Sequence, residues 1–141
     1  MLNTEKTDLQ KILERIKRMR KRVILRSDIE SLAPPRQISR SLLKLVEIGE
    51  LVKLGYGVYA KSTYSPYIKK PIIVGGFDEV CKEALDRLGK RWEPGSAEQA
   101  YNSGASTQVP ARSAIRLKSR YRGKLAYGNR KLLIENNINA R

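Results

Sequence analysis

Residues 27–61 read SDIESLAPPRQISRSLLKLVEIGELVKLGYGVYAK, and this stretch decides the fold of the chain. Ser27 and Glu30 have the spacing of a capping box, which predicts a short helix that ends at Pro34-Pro35. A second predicted helix, residues 36–49, follows at once and leads into a basic hairpin. A helix, a turn, a second helix and a wing in this order are typical of an architecture that places one helix in the major groove of DNA.

The second predicted helix has one apolar face and one polar face. Successive residues turn by about 100°, so the apolar positions gather on one side: Ile38, Leu42, Leu45 and Val46. The opposite side carries Arg36, Gln37, Arg40, Lys44 and Glu47, with Ser41 at the margin. Arg and Gln side chains can bond bidentately to guanine and adenine edges, whereas Lys and Ser side chains suit phosphates. A solvated surface is the simpler interpretation of an isolated helix, but the position between a capped helix and a wing favours DNA contact.

The predicted wing is a hairpin of two short strands, Glu50–Leu54 and Val58–Lys61. Two glycines permit a tight turn between them, with Tyr56 at the tip. Lys53 and Lys61 are expected to meet DNA phosphates, because an ammonium group binds a phosphate as a point charge.

The sequence around this stretch predicts an α+β chain of two domains. An N-terminal helix is expected from Asp8 to Arg20 and a short apolar strand over Val23–Leu25. Residues 63–71 contain two prolines and no helical periodicity, which predicts a linker. We therefore expect an N-terminal winged helix-turn-helix domain, residues 1–65, followed by a small C-terminal α/β domain, residues 72–141.

The second half predicts two helices among short strands. One helix should span Phe77–Leu88, and Ser96 with Gln99 forms a capping-box pattern for another through Asn102. The strand candidates are residues 91–94, 113–118, 124–127 and 131–135, with turns at Gly123 and Gly128-Asn129. Asp78, Glu79, Glu83 and Asp86 cluster at helical spacing, but a solvated helix face is a better interpretation than a metal site.

Charge points to a polyanionic partner. The 141 residues carry a formal charge of +15, with 16 Lys and Arg against 7 Asp and Glu in residues 1–70, 4 against 6 in 71–105, and 9 against 1 in 106–141. DNA, RNA or an anionic membrane surface would suit this excess. No apolar run approaches the roughly 20 residues that span a bilayer, and charged residues interrupt the N-terminus where a signal peptide would be apolar. We expect a cytoplasmic protein without a membrane partner.

The residues that catalysis commonly uses are scarce. The chain has one cysteine, Cys81, and no histidine, which excludes an intramolecular disulfide and a His-dependent triad and makes a zinc site improbable. No glycine-rich loop has phosphate-binding spacing. Cys81 shares a helical face with apolar residues and is expected in the core. We therefore expect no enzyme, no cofactor and no metal.

Two runs resemble a known family. The pattern from Ile38 through Gly49 to Tyr59 resembles the N-terminal winged helix of AbiEi-type antitoxins of type IV toxin–antitoxin systems. A second run resembles the S-T-Q-x-P-A motif in the second domain of a short branch of that family: Ser106, Thr107, Gln108, Val109, Pro110 and Ala111. Tyr101-Asn102-Ser103 departs from the family, which has more aliphatic residues there. The resemblance implies a regulator that represses its own operon at promoter repeats and neutralises a nucleotidyltransferase-like toxin.

The residues leave other functions open. A winged-helix transcription factor of a phage or mobile element would need no toxin. An RNA-binding factor is the third alternative, because the C-terminal cations are interleaved with Tyr121 and Tyr127, and aromatic side chains among cations can stack single-stranded bases. Strand packing is the alternative role of these tyrosines. A homodimer is also left open.

Overall fold

The chain is a mixed α+β protein, as the sequence predicts. The structure is a computed structural model that describes residues 6–105, 107 and 114–136. The chain forms two compact units, Met1–Gly76 and Phe77–Arg141. Within the described residues, no helix has both the length and the apolar composition needed to cross a membrane.

The first unit begins with helix α1, Asp8–Arg18. Its start is fixed by a reciprocal cap, in which Thr7 Oγ1 accepts from the Gln10 N–H at 3.2 Å and Gln10 Oε1 accepts from the Thr7 N–H at 2.9 Å. The start agrees with the predicted one, and the helix ends two residues before Arg20 because Met19 is extended. Strand β1, Val23–Leu25, follows as predicted.

The helix predicted from Ser27 is wrong. A 3₁₀ turn over Arg26–Asp28 and further turns occupy the stretch instead. The Asp28 carboxylate accepts the Leu25 N–H at 2.8 Å, and the Ile29 N–H donates to the Arg26 carbonyl at 3.1 Å. Both bonds join residues three positions apart, which is the spacing of a 3₁₀ turn rather than an α-helix. Asp readily competes with a helix in this way, and Pro34-Pro35 leaves too few residues to offset helix nucleation.

Helix α2 spans Pro35–Glu47 and packs on α1. Pro35 occupies its first turn as predicted, where a missing N–H costs nothing. Gly49, at φ +83°, takes the left-handed conformation just beyond its end. The predicted apolar stripe is confirmed, and the core of the first unit consists of Ile12, Ile16, Ile24, Ile29, Ile38, Leu42, Leu45, Leu51 and Tyr59.

Strands β2, Leu51–Gly55, and β3, Val58–Ser65, form the predicted hairpin. Strand β3 is long and central: β2 lies on one side and β1 on the other. Lys61 donates its N–H to the Arg22 carbonyl at 2.8 Å and accepts the Val74 N–H at 3.0 Å. The N–H and C=O groups of a residue in an antiparallel strand point to the same edge of that strand. Arg22, beside β1, and Val74, just beyond the following strand, therefore lie along one edge of β3, and the two strands lie end to end there.

The linker that two prolines predict over residues 63–71 is a β-hairpin instead. Strand β4, Lys70–Ile73, pairs antiparallel with the second half of β3, in a register that sets Tyr64 opposite Pro71. Thr63 and Tyr64 favour an extended, pleated backbone. Among the described residues β4 pairs only with β3, and an edge strand tolerates proline.

The second unit begins with helix α3, Phe77–Arg87, close to its predicted bounds. Strand β5, Trp92–Pro94, pairs antiparallel with β6, Ala114–Leu117, which pairs parallel with β9, Leu133–Asn136. A small hairpin joins β7, Ala126–Tyr127, to β8, Arg130–Lys131, through the predicted Gly128-Asn129 turn. The expected strand over residues 131–135 is therefore divided between β8 and β9.

The predicted capping box of helix α4, Ser96–Asn102, is wrong. Gly95 is the capping residue, and Ser96 lies inside the helix with its N–H donating to Glu135 Oε2 at 2.9 Å. The Gln99 side chain donates to the Pro94 carbonyl. A carboxylate 39 residues away thus replaces the local cap.

Cys81 lies fully buried in α3, as predicted. Burial, together with the nearby Asp78 carboxylate, raises the pKa of its thiol to about 12. A thiol in this environment behaves as a small apolar side chain rather than a nucleophile.

Candidate nucleic-acid interface

The outer face of α2 is cationic and open to solvent. Arg36, Arg40 and Lys44 are exposed, and Gln37 is half-buried. Ser41 is only 6% exposed, so the expected phosphate contact of its hydroxyl does not fit its position. The face opposite the apolar stripe is thus polar and exposed, as predicted, but Ser41 at its margin is more buried than expected.

A shallow groove runs between this face and the start of α1, and we call it the α1 groove. It holds about 420 Å³ and is lined by Thr7, Asp8, Leu9, Gln37, Arg40, Ser41 and Lys44. Four predicted site residues therefore meet in one place. Six of its seven lining residues are polar, and its one carboxylate, on Asp8, lies 3.9 Å from Lys11 Nζ.

A second groove, the wing groove, lies between α2 and the β2–β3 hairpin. It holds about 490 Å³ and is lined by Arg26, Ser39, Leu43, Val46, Lys53, Tyr56, Gly57 and Tyr59. Lys53 stands opposite Tyr59 in the strand register, on the side of the sheet that faces the helices. Tyr56 is 99% exposed at the hairpin tip. The structure therefore brings the predicted wing residues Lys53 and Tyr56 to one side of α2.

Arg26 joins the elements around the wing groove, a role that the sequence does not signal. Its guanidinium donates to the Pro35 carbonyl at 2.9 Å and to Ser39 Oγ at 3.0 Å, and its backbone N–H donates to the Gly57 carbonyl at 2.9 Å. One residue therefore links the first turn of α2 to the hairpin turn. Arg26 also lies close enough to the Tyr59 hydroxyl to oppose the rise in the pKa of Tyr59 that burial causes.

Lys61 lies apart from the wing tip. Its ammonium group donates to the Met19 carbonyl just beyond the end of α1. Lysine often satisfies such a terminal carbonyl and complements the helix dipole there. Lys61 thus has a backbone partner within the first unit, and its phosphate contact stays a prediction.

The acidic groups of α1 are engaged by neighbouring lysines. Lys6 Nζ lies 2.7 Å from Glu14 Oε1, and this hydrogen bond lowers the pKa of the Glu14 carboxyl. The described residues 6–76 hold 16 Lys and Arg against 6 Asp and Glu. The potential around both grooves is therefore dominated by cations.

Of the predicted motif in the second unit, the structure describes only Thr107. Ser106, Gln108, Val109, Pro110 and Ala111 lie outside the described residues, and Thr107 is exposed and irregular. Arg116 and Lys118 both approach Glu93, at 3.9 and 3.4 Å, and Arg130 lies 3.4 Å from Asp78 and 5.1 Å from the Phe77 ring.

The tyrosines of the basic C-terminal segment are packed. Tyr121 and Tyr127 are half-buried, and burial raises the pKa of the Tyr121 hydroxyl. Tyr127 lies in β7, as the strand-packing alternative expects, whereas Tyr121 lies outside the strands. Neither side chain forms an exposed stacking platform. Arg122, Lys124 and Lys131 nevertheless remain exposed.

The comparisons with known proteins give no further guide to the site. The chain matches no protein-family model, and neither the curated proteins nor the solved structures include a match. Within the part of the chain that the structure describes, no group of three or more His, Cys, Asp or Glu side chains is placed to hold a metal ion.

Proposed function

We propose that the first unit is a winged helix that binds duplex DNA, with α2 in the major groove and the β2–β3 hairpin alongside. One observation carries the proposal: the exposed cationic face of α2 lies between two open grooves, one of which leads to the exposed hairpin. A helix of 13 residues is about 20 Å long and fits a major groove about 12 Å wide.

The roles of the side chains follow from their chemistry and place. Arg36, Arg40 and Gln37 would read base edges, because planar side chains at the helix face can bond bidentately to guanine or adenine. Lys44 and Lys53 flank that face on opposite sides, which suits the two phosphate backbones that border a groove. Tyr56 would contact the sugar-phosphate backbone from the hairpin tip.

The regulatory role extends this binding activity. A protein that occupies promoter repeats blocks transcription, so we propose a repressor that acts in the cytoplasm by binding rather than by catalysis. The resemblance of residues 38–59 and 106–111 to AbiEi-type antitoxins supports the further proposal that the repressed operon is its own. In that proposal the second unit serves to neutralise a nucleotidyltransferase-like toxin.

RNA binding is the less favoured alternative. Three cations of the basic C-terminal segment have acidic partners within the second unit, and both tyrosines of that segment are half-buried. The exposed Arg122 remains a useful probe of this alternative.

The test of DNA binding starts from a randomised duplex library, from which the full chain selects its preferred sequence. Fluorescence anisotropy then measures binding of that duplex, of a scrambled duplex and of a single-stranded RNA. Arg40→Ala should weaken binding of the selected duplex by about 1–3 kcal/mol and relax one base position. Arg122→Ala removes the same charge from the second unit and is the matched control.

Several outcomes would refute the proposal. Failure to enrich any duplex would refute sequence-specific DNA binding, and so would a folded Arg40→Ala variant with unchanged affinity and specificity. Tighter binding of RNA that depends on Arg122 would favour the RNA-binding alternative.

For the antitoxin role, the chain is co-expressed with a nucleotidyltransferase encoded beside it. The wild-type chain should restore growth, and Gln108→Ala should restore it less. If the wild-type chain does not restore growth, the antitoxin role is refuted and the protein is a plain transcriptional regulator.

A further inference from the structure

Leu43 is an exposed apolar side chain beside the cationic face of α2. It is 62% exposed on α2, whereas Ile38, Leu42 and Leu45 on the apolar stripe are buried. At about 100° per residue, Leu43 lies within roughly 40° of the direction opposite Ile38. The core of the first unit is therefore complete without it.

The neighbours of Leu43 are groups that suit DNA. Arg36 and Arg40 precede it by seven and three residues, so all three project from the same outer face. Ser39 and Lys53 line the wing groove with it. Val46 and Tyr59 line the inner part of the same groove. An exposed apolar group beside such donors has one apolar counterpart on the floor of a major groove, which is the C5-methyl group of thymine.

We propose that Leu43 determines specificity by packing on the C5-methyl group of a thymine in the bound duplex. The inference rests on the proposed function and adds the chemistry of one base position. Arg36 and Arg40, which precede Leu43 on the same face, would bond to neighbouring purines, so the preferred site would hold a thymine within one helical turn of a guanine. Uracil has the same hydrogen-bonding edge as thymine and lacks only the methyl group, which makes it a selective probe.

The expected effect is modest and specific. Burial of one methyl group contributes roughly what a buried CH₂ contributes, so its loss should weaken binding about threefold to tenfold. Leu43→Ala removes the partner of that methyl group and should weaken binding of the thymine duplex by a similar factor. Once Leu43 is gone, the methyl group should no longer matter.

The experiment uses the full chain and the duplex that it selects. Each thymine is replaced in turn by uracil, and binding is measured for the wild type, for Leu43→Ala and for Leu43→Met. One position per bound unit should show the threefold to tenfold loss with the wild type, none with Leu43→Ala, and an intermediate loss with Leu43→Met. Circular dichroism checks that each variant is folded. Both variants should fold, because the Leu43 side chain is exposed.

The possible results separate this inference from the proposal beneath it. Tight binding of a selected duplex with no uracil-sensitive position would overturn the role of Leu43 and leave DNA binding intact. The same conclusion follows if Leu43→Ala keeps the sensitivity of the wild type. If Leu43→Ala changes the sedimenting mass and leaves the uracil profile unchanged, Leu43 contacts a second copy of the chain instead. Failure to select any duplex would overturn both.

Discussion

Removal of the Arg26 side chain should loosen the attachment of α2 to the hairpin. Arg26→Ala deletes two hydrogen bonds, to the Pro35 carbonyl and to Ser39 Oγ, and leaves the backbone bond to Gly57 in place. A bond from a charged donor contributes about 1.5–3 kcal/mol when it is buried. Arg26 is half-exposed, so water replaces part of what is lost, and we expect a total loss of about 1–2 kcal/mol.

Urea unfolding of the full chain, followed by circular dichroism, measures this loss. With a slope of about 1–3 kcal/mol per molar urea, the midpoint should fall by roughly 0.3–2 M. Ser39→Ala and the double variant complete a cycle, in which a direct bond gives a coupling energy of at least about 0.5 kcal/mol. Arg26→Lys keeps the charge but loses the planar fork, so it should lie between the wild type and Arg26→Ala.

A different role for Arg26 would give a different pattern. If Arg26 contacts phosphate, Arg26→Ala should leave the unfolding midpoint unchanged and lower the log–log salt slope of DNA binding by roughly 1. Arg26→Lys should then restore the slope. A coupling energy of zero with Ser39 would refute the inference that Arg26 positions α2.

Three further predictions follow from the structure. Lys53→Ala should weaken binding of selected and scrambled duplexes alike and lower the salt slope by roughly 1, whereas Lys70→Ala at the opposite end of β3 should not; equal slopes for the two variants would contradict the wing assignment. Cys81 has a pKa raised to about 12, so at pH 8 its thiol should react with a disulfide reagent only after the chain unfolds. The free energy of unfolding should fall above about pH 9, because the thiol of the unfolded chain ionises there and that of the folded chain does not. Rapid reaction of the folded chain would contradict the burial argument. Ile29→Ala should cost about 2–5 kcal/mol because Ile29 is fully buried, and an unchanged urea midpoint would show that its turn lies outside the core.

Periodicity made much of the first unit predictable. The spacing of Ile38, Leu42 and Leu45 locates α2 and its outer face, and the glycines around Tyr56 locate the hairpin turn. These features depend on residues a few positions apart, which a sequence displays directly. The exposed positions of Arg40 and Lys53 follow from the same patterns.

The missed features depend on bonds between distant residues or on competition within a short turn. Glu135 caps α4 from 39 residues away, and the pairing of β4 with β3 overrides two prolines. The capping pattern at Ser27 does not start a helix, because the Asp28 carboxylate accepts the Leu25 N–H and a 3₁₀ turn forms there instead. In the site, the partners of Lys61 and Arg26 could not be predicted because they lie on other elements. The exposed position of Leu43, off the apolar stripe, follows from helical spacing.

Strand β3 also offers a practical attachment point. The hairpin turn beside α2 precedes Val58, and the β3–β4 turn follows Ser65, so the two turns lie at opposite ends of one strand, roughly 23 Å apart at about 3.3 Å per residue. Tyr67 in the far turn is 95% exposed. A fluorophore or a surface tether coupled through Tyr67→Cys would leave the proposed DNA-binding end unobstructed, and the buried Cys81 would stay unlabelled in the folded chain.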